Sequence, residues 1–137
     1  MTPGIDRINI VLDASAAVNL LIGEDALASK IAALIGDACV MAPVIFPFEV
    51  TNIIRGKLSG RLIDDDTAQD AWIGMTELNA ELWQWATLAD RVWQLRGSIT
   101  SYDASYIALA ELMGCPLLTT DARLAAMAPA SCRVELV

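Results

Sequence analysis

The sequence predicts an α/β fold in which a mainly parallel sheet is covered by helices. Short apolar runs alternate with stretches of helical periodicity along the whole chain, the order expected of repeated strand and helix units. A length of 137 residues, with 55% apolar and 19% charged, suits one domain with a single buried core, so residues 1–137 are read as one unit.

The elements follow in order. INIVL, residues 8–12, reads as a strand, and residues 14–22 are helix-compatible. Leu27, Ile31, Leu34 and Ile35 mark an amphipathic helix that stops at Gly36, a suitable left-handed terminus. Residues 39–41 form a second short strand. Pro43 and Pro47 break the next stretch, after which Val50, Ile53 and Ile54 recur at helical spacing up to GKLSG, where Gly56 and Gly60 loosen the chain. In IDDDTAQDAW the acids precede a one-face stripe of Ala68, Ala71, Trp72, Met75 and Leu78, and Asp66 with Gln69 has capping-box spacing. Residues 81–86 read as a strand, 87–96 as a helix ended by Gly97, and 103–113 as a helix ended by Gly114. Strands at 117–119 and 133–137 complete the set, with no internal repeat or low-complexity tract.

Composition removes several classes of function. No apolar run reaches the ~18 residues of a membrane span, and MTPGIDRINI lacks the basic start and long apolar stretch of a secretory leader, so a cytoplasmic protein is expected. Cys39, Cys115 and Cys132 form no CxxC pair and read as core thiols. There is no histidine, which excludes a Ser/His/Asp triad and a histidine general base. Without histidine, any hydrolysis must use carboxylates or a metal, and a net charge of −8 gives no global basic footprint for nucleic acid.

Four carboxylates stand out from the rest. Asp13 follows INIVL as Asp121 follows PLLTT, so two strand ends each present an aspartate, where ligands gather in open α/β sheets. Asp103 lies in the first turn of the otherwise apolar SYDASYIALAELM, and Glu49 at the edge of its helix's apolar face. Each also fits a plainer role: the aspartates as helix caps, Glu49 as a solvated residue or a partner of Arg55 or Lys57, Ser15 and Thr120 as cap or turn residues. Trp72, Trp83, Trp85 and Trp93 fit core or dimer packing, with base stacking as the alternative.

LDASAAVNLL, FEVTN, SYDASYIALAE and LLTTDARL occur in the order and approximate spacing of PIN-domain proteins, and the chain most resembles VapC-type toxins of toxin–antitoxin pairs. The resemblance runs from Ile8 to the C-terminal strand. It implies a three-layer sandwich with a parallel sheet of about five strands between helices, a homodimer, and Mg²⁺- or Mn²⁺-dependent endoribonuclease activity. The family's acidic positions map onto Asp13, Glu49, Asp103 and Asp121. Asp13, Asp103 and Asp121 would then be metal ligands, Glu49 would complete the catalytic set, and Ser15 and Thr120 would hold carboxylates in orientation. A cation offsets the mutual repulsion of such a set and activates water without histidine. Arg55, Lys57, Arg61 and Arg123 are the cations best placed for RNA, with surface solubility as their plainer role. The implied partner is a small antitoxin whose basic C-terminal segment pairs with the acids. A PIN-like scaffold without turnover is the alternative. An aspartate-dependent phosphotransferase is a weaker one, since Ser15 stands where a haloacid-dehalogenase-like site wants a second Asp.

Overall fold

The computed structural model describes residues 8–137; residues 1–7, part of the stretch read for a leader, lie outside it. Along the chain come β1 (Asn9–Leu12), α1 (Ala14–Ile22), α2 (Asp25–Ile35), β2 (Cys39–Pro43), α3 (Phe46–Ser59) and α4 (Asp65–Glu77). They are followed by β3 (Glu81–Trp83), α5 (Trp85–Gln94), α6 (Ser101–Met113), β4 (Leu117–Thr119), α7 (Ala122–Met127) and β5 (Val134–Leu136). The strands join in the order β3-β2-β1-β4-β5, and every pairing is parallel. The chain therefore starts at the centre of the sheet, moves out to β3, then returns to lay β4 on the other side of β1. This reversal opens a crevice at the carboxyl ends of β1 and β4, the place where α/β sheets bind ligands.

Central strands covered on both faces read as continuous apolar runs. Val11, Leu12, Leu117 and Leu118 are fully buried, while the three-residue edge strands β3 and β5 leave Leu82 and Leu136 exposed. The helices form two groups: α1 to α4 pack on one another, and α5 packs on α6, which crosses β1, β2 and β4. Arg91 of α5 makes a two-pronged ion pair with Glu111 of α6 at 2.8 and 3.0 Å, and Ser131 also donates to Glu111. Cys115 and Cys132 are buried free thiols, as read, and burial pushes the Cys132 thiol up to about 11. Cys39 is partly exposed. No helix among the described residues is long and apolar enough to cross a membrane.

Several local expectations change. Pro47 does not break the chain but sits in the first turn of α3, where its missing N–H has no partner to lose. Gly56 lies inside that helix, which ends at Gly60. The cap of α4 is Asp64, which accepts from Thr67 N at 2.8 Å, rather than a box of Asp66 with Gln69. Helix α6 starts at Ser101 with Thr100 as its cap, so Asp103 is not a cap. Trp72, Trp85 and Trp93 are 45%, 60% and 67% exposed, which takes them out of the core.

Candidate active site

Asp13 answers to both readings of the sequence at once. It follows β1, is 5% exposed, and caps α1 by accepting from Ala16 N at 2.9 Å. The same oxygen, Oδ1, accepts from Ser15 Oγ at 2.7 Å, and Oδ2 accepts from Thr119 Oγ1 at 2.5 Å. Three donors fix the carboxylate; two of them fill Oδ1, and Oδ2 keeps one lone pair free. Burial raises its pKa, the bonds from Thr119, Ala16 and Ser15 oppose that, and the charge of Asp121 adds to the rise.

The other acids stand around it. Glu49, in the first turn of α3, accepts from the phenol of Tyr106 at 2.6 Å. Its pKa is raised by burial, held back by Tyr106, and raised again by the charges of Asp103 and Asp13. Tyr106 is 2% exposed, and its own pKa is pushed well up by burial and by Glu49. Asp103 projects from the first turn of α6 because Thr100 takes over the capping, accepting from Asp103 N at 3.3 Å. Burial raises Asp103, the Arg123 guanidinium opposes it, and Asp121 raises it further. Asp121 caps α7 by accepting from Arg123 N at 2.9 Å and Leu124 N at 3.2 Å. Arg123 reaches across, 3.4 Å from Asp103 and 4.0 Å from Asp121.

The fold thus brings Asp13, Glu49, Asp103 and Asp121 into electrostatic contact at the switch point. Among the described residues no three acids are gathered tightly enough to form a ready-made cage for an ion. Ser15 touches Asp13 as expected of an orienting hydroxyl. Thr120 does not reach a carboxylate: its hydroxyl accepts from Asn19 at 3.2 Å, and its N–H is 3.3 Å from Ser15 Oγ. Thr119, fully buried, does what was expected of Thr120, donating to Asp13 and accepting from Asp121 N at 2.9 Å. Arg123 lies at the acids, whereas Arg55 donates to Asn52 at 3.3 Å in a groove between α3 and α4. Lys57 and Arg61 follow it along α3 and its exit, and none of these three forms an ion pair among the described residues. The residues that sequence reasoning missed are Thr119, Tyr106 and Thr100. Tyr106 carried a signal, since it stands three residues after Asp103 on one helix face.

A parallel sheet with one buried and three part-buried carboxylates gathered at its switch point defines a class of α/β proteins with an acidic crevice. Residues 10–129 match the PIN domain, and the chain belongs to that family. It is 38% identical over 128 residues to ribonuclease VapC12 of Mycobacterium tuberculosis, a match spanning 93% of this chain and 98% of that one. In fold it is similar to VapBC2 from Rickettsia felis, solved bound to a DNA fragment from its promoter, with a TM-score of 0.68, 13% identity, and coverage of 95% and 99%. It is similar also to M. tuberculosis VapC20, a Sarcin-Ricin loop cleaving toxin, with a TM-score of 0.64, 17% identity, and coverage of 91% and 99%.

Proposed function

We propose that this chain is the toxin of a toxin–antitoxin pair and hydrolyses RNA phosphodiester bonds with the help of Mg²⁺ or Mn²⁺. The observation that carries this is the coupled set of Asp13, Glu49, Asp103 and Asp121 at the switch point, in a chain 38% identical to a named ribonuclease. The donor set fits a hard divalent ion: it consists of carboxylate oxygens, and it is too open to replace all of the ion's water, which Mg²⁺ retains in any case. Asp13, Asp103 and Asp121 would hold it. When bound, the ion supplies Lewis-acid polarisation of the phosphate and eases the deprotonation of water.

The chain's own residues do the rest. Ser15 and Thr119 hold Asp13 in one orientation before any ligand arrives. Tyr106 engages Oε1 of Glu49 and leaves Oε2 free to take a proton, and the raised pKa of Glu49 suits that role. Arg123 already shows that a guanidinium fits between Asp103 and Asp121. A basic segment of a small antitoxin would use the same complementarity to block the site. Arg123 itself is the cation best placed to meet a phosphate; Arg55, Lys57 and Arg61 would serve RNA lying further along α3. The setting we propose is cytoplasmic, and the working form a homodimer.

The test is cleavage of a defined RNA pool with the cut ends sequenced, run with Mg²⁺, with Mn²⁺ and in excess chelator. Cleavage is expected only with an ion present. Asp13→Asn and Asp103→Asn should each lower it by roughly 100-fold or more while the fold survives. Cleavage that persists in chelator, or in both variants, overturns the reading. No cleavage of any RNA under any condition returns the scaffold reading.

A further inference from the structure

Beside the acids, at the carboxyl ends of β2 and β3, lies a cavity of about 270 Å³, below the ~300–1,000 Å³ of sites for drug-sized ligands. Val44, Trp83, Trp85, Leu88, Tyr102 and Ser105 line it, and no lining residue is charged. On a chain with 17 acidic residues, this is an uncharged wall beside the acidic site, suited to an uncharged group. The cavity and the acidic site share the first turn of α6, with Tyr102 and Ser105 on one side and Asp103 on the other. Val44 also begins the link from β2 to α3, the helix that carries Glu49.

A further feature points to the occupant. Trp85 and Tyr102 are 60% and 57% exposed, so flat aromatic surface is presented beside the uncharged cavity. A nucleobase offers a flat, uncharged face for stacking there.

We infer that this cavity receives one base of the RNA substrate, held by stacking on Trp85 and Tyr102, while the acids act on a nearby phosphodiester. The inference rests on the ribonuclease reading and adds a base-binding subsite to it. Such a subsite makes the choice of cut depend on the base at a fixed offset from the scissile bond.

The experiment uses the full chain and a short single-stranded RNA of mixed sequence carrying photoactivatable thiouridine, first in chelator, with adducts mapped by mass spectrometry. Adducts on Trp85 or Tyr102 are expected. In the cleavage assay with ion present, Trp85→Ala and Tyr102→Leu should raise KM roughly tenfold each, the worth of one stacked base, with kcat little changed. Trp85→Phe should restore most of the loss, and an abasic nucleotide at one offset should reproduce it in the unaltered protein only. Adducts elsewhere, or unchanged KM and cut sites in both variants, overturn the inference while cleavage itself upholds the ribonuclease reading. A shift from dimer to monomer in Trp85→Ala with RNA affinity unchanged also overturns it, and gives the cavity to a second copy of the chain. If the unaltered protein cleaves nothing, the ribonuclease reading fails. Adducts at Trp85 would then still show a base-binding cavity, and their absence would end the inference too.

Discussion

At the scale of residues, Asp13 and Glu49 are held by neutral hydroxyls rather than by opposite charges. Among the described residues Glu49 has no cationic partner; Arg55 and Lys57, its neighbours in α3, leave it to Tyr106. Tyr106→Phe would keep the ring's packing and remove the only donor to Glu49 Oε1 among the described residues. Taking one partner from a part-buried charge costs about 1–3 kcal/mol, so the urea midpoint should fall, and cleavage should drop through kcat rather than KM. An unchanged kcat would show that Glu49 is positioned by something else. Thr119→Val is harsher, since it strips a donor from Asp13 and an acceptor from Asp121 N together. Thr119→Ser should recover most of what Val loses, in activity and in stability alike.

At the scale of elements, the two aspartates that open α4 separate capping from mere charge. Asp64→Ala should cost about 1 kcal/mol, because the Thr67 N–H loses its acceptor. Asp65→Ala should stay within about 0.5 kcal/mol; equal effects in chemical denaturation would overturn the assignment of the cap. Three aspartates in a row hide which one caps, and only backbone geometry decides it. The same ambiguity hid Thr119 behind Thr120: strand β4 ends between them, and no spacing rule says on which residue. What was legible was what periodicity and terminators carry. Strand β1, helix α1, the stops at Gly36 and Gly114, and Asp13 and Asp121 at strand ends all follow from apolar runs and punctuation. The start of α6 was less legible, because a helix buried along Ala104–Ala110 has no stripe to read, and its cap, Thr100, lies before the apolar run. The cavity beside the acids was not legible at all, since its walls come from separate elements that only the sheet order brings together.

At the scale of the whole molecule, charge opposes the fold. The chain carries a net charge of −8, and Asp13, Glu49 and Asp103 are each held above the ordinary carboxylate range, by burial first. A carboxyl raised on folding binds its proton more tightly in the folded chain. Its ionisation therefore costs stability as pH rises through the folded value, and the cost is absent below the unfolded value of roughly 4. In chelator, stability should thus increase as pH is lowered from neutrality toward the top of the carboxylate range, and Glu49→Gln or Asp103→Asn should flatten that rise. At neutral pH, Mn²⁺ or Mg²⁺ at a hundred times its Kd should add about 2.7 kcal/mol, and calorimetry showing no gain in Tm would count against an ion in the site. The bond from Thr119 to Asp13 spans 106 positions of the chain. On the ribosome β1 is made well before β4, so a nascent chain that has not yet reached β4 carries Asp13 without Thr119, one of the three donors that fix it. Whatever chemistry the site performs is withheld until β4 has been made, and a product truncated before β4 is born without it.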